Sequence, residues 1–156
     1  MERIRECGSE GVQELTNKLV LGNLRRMVIK SCKDLRVWQE AHALTLKVYA
    51  LTNTFPQHEK FGLISQLRRA ASSVAANIVE GHGRKGPREF TNFLSIARAS
   101  AKETEYFLQL AKELRLAEPH IFDDLIFRYS GLSAGIFSLS AKLDLARKRR
   151  TATKTP

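Results

Sequence analysis

The stretch from Leu63 to Gly81 constrains the fold of this chain more than any other. Leu63, Leu67, Ala70, Val74 and Ile78 recur at steps of three and four, which places them along one side of an α-helix as a core-facing stripe. A second stripe, Gln66, Arg69, Ser73, Asn77 and Glu80, runs beside it at the same spacing and consists wholly of hydrogen-bonding side chains. Two readings of that stripe stay open. It is a solvated face, or it is a polar network between packed helices or subunits, which holds only where every member finds a partner. Small Ala and Ser neighbours favour the second by letting another helix come close. Gly81 is expected to end the helix as a C′ glycine.

The rest of the sequence repeats the helical pattern. Asp34 is a suitable N-cap for a first helix, with Leu35, Trp38, Ala41, His42, Thr45, Val48, Tyr49 and Thr52 at helical spacing and an end near Asn53. Phe55-Pro56 closes the connection, because a residue before proline is pushed out of the helical region. The second helix is expected over residues 58–80. A third, over 87–115, opens on Pro87 and carries Phe90, Leu94, Ala97, Ala101, Thr104, Leu108 and Ala111 as a bundle seam. Phe93, Ile96, Phe107, Leu110 and Leu114 add a second apolar stripe, so this helix should sit centrally, with Arg98, Lys102, Glu105, Gln109 and Lys112 as its solvated face.

Pro119 opens a fourth helix, with Glu118 and Asp123 near its positive end. Ile121, Leu125, Leu132, Ile136, Leu139 and Leu143 form its apolar stripe, and Ser130, Gly131, Ser133, Ala134, Gly135 and Ser138 make it small-sided. The expected fold is all-α: an antiparallel up-down four-helix bundle over residues 34–147, with a mobile N-terminal extension at 1–33 and a frayed basic tail at 148–156. Gly8, Gly11 and Gly22 interrupt the extension. Met27 gives it two possible origins, a true extension or residues upstream of the real start.

At 156 residues the chain has the size of one domain. No run approaches the roughly 18 apolar residues of a membrane span, and residues 1–6 lack the apolar core of a signal peptide, so a cytoplasmic location is expected. Cys7 and Cys32 have no metal-ligand spacing. The net charge of +10 is unevenly placed: residues 142–156 carry +5, the loop at 81–88 is basic, and 118–141 carry −2. That distribution suits a polyanion.

The loop Gly81-His82-Gly83-Arg84-Lys85-Gly86-Pro87 spells G-x-G-x-x-G, but a helix precedes it where a dinucleotide fingerprint needs a strand. A phosphate role survives, through Arg84, Lys85, Arg88 and the free N–H groups of the helix that follows. None of His42, His58, His82 or His120 lies three residues after a Glu, as a di-iron bundle would require. No nucleophile elbow, P-loop or acid–base pair is present either. The expectation is a protein without catalytic, cofactor or metal residues, holding RNA or DNA backbone through Arg84, Lys85, Arg88, Arg147, Lys148, Arg149 and Arg150. No aromatic residue interleaves these basic runs, so base stacking is not expected to contribute much.

The motifs Leu35-x-Val37-Trp38-x-x-Ala41, Val48-Tyr49-x-x-Thr52-x-x-Phe55-Pro56-x-x-Glu59, Gly62-Leu63-x-x-Gln66-x-Arg68-Arg69-Ala70, Ser73-x-x-x-Asn77-Ile78-x-Glu80-Gly81 and Phe90-x-x-Phe93-Leu94-x-x-Ala97-x-x-Ser100 resemble the four-helix-bundle proteins encoded in 23S ribosomal RNA intervening sequences. The resemblance covers about residues 34–145 and leaves the extension outside. Similar proteins include the accessory variability determinant of diversity-generating retroelements, a pentameric barrel that binds nucleic acid and its reverse transcriptase. The resemblance therefore implies a cyclic homopentamer and sequence-tolerant nucleic-acid association, with a reverse transcriptase as a further partner. Two other readings stand beside it: a structural or protein-interaction oligomer whose basic tails confer solubility, and an enzyme of unrecognised chemistry.

Overall fold

The computed structural model of the chain describes residues 31–152. The expectations for residues 1–30, which include Cys7 and Met27, for residues 153–156 and for the side chain of Arg150 lie outside the described residues. Four α-helices follow one another: α1 (Arg36–Thr52), α2 (Leu63–His82), α3 (Pro87–Glu113) and α4 (Pro119–Ala152). Short 3-10 turns, Cys32–Asp34 and Gln57–Glu59, precede α1 and α2. Among the described residues there is no strand, and the chain is all-α. No described helix is long and apolar enough to cross a membrane.

Contacts between neighbouring helices run in opposite order along the two sequences. Thr45 of α1 donates to the Ala71 carbonyl of α2 at 3.0 Å, while Arg68, earlier in α2, reaches Thr52, later in α1, at 2.7 Å. Ser73 meets Ser100 at 3.0 Å and Arg69 meets Glu103, which joins α2 to α3 in the same sense. Lys112 pairs with Asp123, and Arg98 lies over the Phe137 ring, joining α3 to α4. Glu40 and Lys47 of α1 hold Arg128 and Asp124 of α4. α3 packs extensively on both α2 and α4 and is central, although Ile96 and Leu114 of its second stripe remain exposed.

The core stripes of α2 and α3 lie where the spacing puts them: Leu63, Leu67, Ala70, Val74 and Ile78 are buried, as are Leu94, Ala97, Ala101, Thr104, Leu108 and Ala111. Two stripes match in part: Leu35, Ala41, Val48 and Thr52 of the first and Leu125, Leu132 and Ile136 of the last are buried, and Leu139 and Leu143 pack against the core. In α1 the buried residues are Ala41, Leu44, Val48, Leu51 and Thr52, while His42 and Tyr49 face solvent. Trp38 is only partly buried, stacked on exposed His42 with ring centroids 5.1 Å apart. Aromatic side chains with a polar end sit at the edge of a core as readily as inside it, so they misdirect a periodicity count. In α4 the largest buried side chains are Phe122 and Tyr129, and Ile121 is exposed.

Several helix ends differ from expectation. Asp34 does not cap α1; it closes the turn before it, where its carboxylate accepts from the Ser31 N–H at 3.1 Å and the Ser31 hydroxyl accepts from the Lys33 N–H. α2 starts at Leu63 rather than near 58, because the Glu59 carboxylate takes the Leu63 N–H at 3.1 Å after a non-helical Gly62. Gly81 does not end α2. It is buried inside the helix, with Gly83 at the C-cap. α3 ends at Glu113 in a Schellman arrangement, with Leu116 N–H bonded to the Ala111 carbonyl, Arg115 N–H to that of Lys112, and Arg115 left-handed at φ 57°. Asp123 lies beyond the first turn of α4 and serves an ion pair with Lys112 instead. α4 itself runs through Arg147, Lys148 and Arg149 to Ala152, so the segment expected as a tail begins as helix. Lysine and arginine are good helix formers, and cations suit the negative end of a helix.

Candidate functional site

The basic loop between α2 and α3 is held in place by the aromatic residues that open α3. A Cβ on Gly81 would lie 2.6 Å from Cβ of Phe93 and 2.8 Å from Cδ2 of Phe90, so α2 meets α3 at a separation only glycine permits. The His82 ring stands edge-on to Phe90 at 6.0 Å. Arg84 is fastened twice, by an ion pair with Glu80 and by its guanidinium lying 5.1 Å over the Phe93 ring. It braces the loop more than it offers a free charge. Lys85 and Arg88 are exposed, and among the described residues neither has an ion-pair partner. Pro87 occupies the first turn of α3, and Gly86 caps it without a side-chain bond, leaving the first N–H groups open.

The second basic cluster lies on the last turns of α4. Arg147 is 3.6 Å from Asp144, while Lys148 and Arg149 are exposed. Helix register relates this cluster to the loop. From the Lys112–Asp123 pair, fourteen residues back along α3 and fourteen forward along α4 lead to the Arg98–Phe137 contact at 5.2 Å. Ten further residues in each direction bring Arg88 level with Arg147. Two clusters sixty residues apart in sequence thus come to the same end of the α3–α4 pair.

The polar stripe of α2 finds its partners within the chain. Arg69 bonds Gln66 at 3.2 Å and pairs with Glu103 of α3. Ser73 and Ser100 share a 3.0 Å hydrogen bond, and the Asn77 amide donates to the Ser73 carbonyl and hydroxyl at 2.8 and 3.0 Å. Glu80 holds Arg84. The stripe is a network that ties α2 to α3, and it satisfies its members without a second subunit.

Three features escape a reading of the sequence. Arg68 bonds Thr52 at 2.7 Å and Asn53 at 2.8 Å and lies 4.8 Å over the Tyr49 ring, closing the carbonyl end of α1 with a cation. Arg98 and Phe137 stack across helices that are distant in sequence. The Tyr129 hydroxyl is buried without a hydrogen bond of proper geometry; its polar neighbour Thr45 donates its hydrogen to the Ala41 and Ala71 carbonyls. Burial pushes the Tyr129 phenol far above its ordinary pKa, and the Thr45 hydroxyl offsets that only in part.

The fold resembles the crystal structure of a protein of unknown function from the S23 ribosomal protein family of Bacteroides thetaiotaomicron, with a TM-score of 0.64 and 24% identity over 70% of this chain and 98% of that one. No curated protein matches the chain. The family model for the 23S rRNA-intervening sequence protein matches residues 33–138, a span from the turn before α1 to the middle of α4. The chain belongs to the 23S rRNA-intervening sequence protein family.

Proposed function

We propose that this protein is a non-enzymatic, cytoplasmic accessory protein whose four helices form an up-down bundle, and that it binds RNA or DNA backbone as a homo-oligomer. The observation that carries this reading is the register that brings Lys85 and Arg88 to the same end as Arg147, Lys148 and Arg149. Lysine and arginine in such a cluster displace condensed counterions from the phosphates without any need for base-specific contacts. The family supports an RNA-related role, and the resemblance to pentameric barrels is the ground for a ring of five. In a ring each copy repeats the basic end, so weak contacts combine into avidity.

A charge-reversal experiment tests it. Lys85→Glu with Arg88→Glu should abolish binding to a labelled RNA at moderate salt, whereas Lys60→Glu with Lys102→Glu should weaken it only slightly. Equal losses from the two pairs would mean that net charge alone draws the polyanion. A second reading, an oligomer that only holds other proteins, draws on the exposed Phe127, which is 79% accessible. It predicts no salt-sensitive nucleic-acid binding at all.

A further inference from the structure

The Arg98–Phe137 contact differs from the other cation–aromatic pairs of the molecule. Arg84 over Phe93 is bound to Glu80, and Arg68 over Tyr49 is bound to Thr52 and Asn53. Lys60 over Phe61 lies on the turn between α1 and α2. Arg98 has no carboxylate partner among the described residues, and Phe137 beneath it is 59% exposed. An exposed phenyl ring with a guanidinium stacked on it, both on rigid helices, is a flat surface of the kind on which an unpaired nucleobase stacks.

Its position along the helices gives the surface a use. On α4, Phe137, Ala141, Asp144 and Lys148 recur at steps of four, three and four and share one face. Lys148 is then about 16 Å from Phe137 along the axis at 1.5 Å per residue. On α3, Arg88, Thr91, Ser95 and Arg98 share a face in the same way. Asp144, the acid within this strip, is occupied by Arg147. A path of cations and hydroxyls therefore leads from the basic end to an aromatic platform, over the span of a few nucleotides.

Resting on the nucleic-acid reading above, we propose that the ligand is single-stranded, with phosphates at Lys85, Arg88 and Lys148 and one unpaired base stacked on Phe137 beside Arg98. A duplex keeps its bases inside and gains nothing from the platform. The surface reads a π-face and not a sugar, so RNA and DNA strands should profit equally.

Anisotropy titrations of the full chain with a labelled twelve-nucleotide RNA, the same DNA strand and the DNA duplex test this. Phe137→Ala should weaken both single strands about tenfold, leave the duplex unchanged and leave the salt slope unchanged, because stacking is lost and no phosphate contact is. Phe137→Trp should keep single-strand affinity, and its emission, taken as the difference from wild type, should be quenched by the strand. Equal weakening of strand and duplex, no weakening, or a changed molecular mass in Phe137→Ala would overturn the platform. Loss of binding in Lys85→Glu/Arg88→Glu with no effect of Phe137→Ala would reject the platform and keep the nucleic-acid reading. A wild-type chain that binds neither strand nor duplex at moderate salt would reject both.

Discussion

Gly81 matters through the atoms it lacks. A methyl group there would press on Phe93 Cβ, which is fixed to the backbone of α3, so the helices themselves would have to separate. Overpacking of that kind costs about 3 kcal/mol at its upper end, and the better helix propensity of alanine returns about 1. Gly81→Ala should therefore lose about 2 kcal/mol in urea melts with helicity retained. Tyr129 presents the opposite case, a buried hydroxyl without a good partner. Tyr129→Phe should be neutral or stabilising by up to about 1 kcal/mol at pH 7, because it deletes an unsatisfied group and leaves no cavity. The pH dependence follows the sign of the shift. The folded phenol titrates above its ordinary value of 10.0, so its contribution is complete below pH 10 and is lost as pH rises beyond it. Tyr129→Phe should flatten the alkaline limb of the stability curve, measured by urea midpoints from pH 8 to 11. Neither residue signals its role in sequence, since Gly81 has the usual look of a helix stop, and Tyr129, although it fills the gap between Leu125 and Leu132 in the apolar stripe of α4, gives no sign there that its hydroxyl is left without a good partner.

The helices illustrate what periodicity resolves. α2 and α3 are strongly amphipathic, and their stripes find most of the core, missing Ile64, Ala71 and Gly81 of α2 and Ser100 of α3. In α4 the spacing finds Leu125, Leu132 and Ile136, but apolar residues also lie on the other sides, Phe122 inside and Phe127 and Phe137 outside, so the stripe does not mark the limits of the buried face. Helix ends depend on single hydrogen bonds that spacing does not register, such as Glu59 on Leu63 or the Leu116–Ala111 closure. The latter leaves Arg115 in a left-handed conformation where most helices place glycine. Arg115→Gly should stabilise the α3–α4 connection by about 1 kcal/mol, visible as a higher melting temperature. The polar stripe was legible as a set but not in its partners: Arg69 pairs with Glu103, and both are substantially exposed. In an isolated bundle Arg69→Ala should cost only about 0.5 kcal/mol. A loss of several kcal/mol would mean that a second copy covers the pair and removes it from water.

At the scale of the whole molecule, charge placement and copy number are coupled, and the salt dependence of binding reports both. Among the described residues, one copy presents three cations without ion-pair partners at its basic end, Lys85, Arg88 and Lys148. Each phosphate neutralised on a single strand contributes about −0.7 to the slope of log affinity against log salt, so a lone bundle should give a slope of about −2. A ring that repeats the basic end along the same strand should give a slope several times steeper, because each copy adds its own phosphate contacts and effective concentration makes the later contacts intramolecular. Ser73 and Asn77 of the polar stripe already have partners, so self-association has no need to break the Ser73–Ser100 and Asn77 hydrogen bonds. Light scattering at micromolar concentration should then give a mass near five times 17.6 kDa, together with a slope well beyond −2 on a thirty-nucleotide strand. A mass of one chain with a slope near −2 would sink the ring, and a stable oligomer of another size would replace the number five while keeping the steep slope.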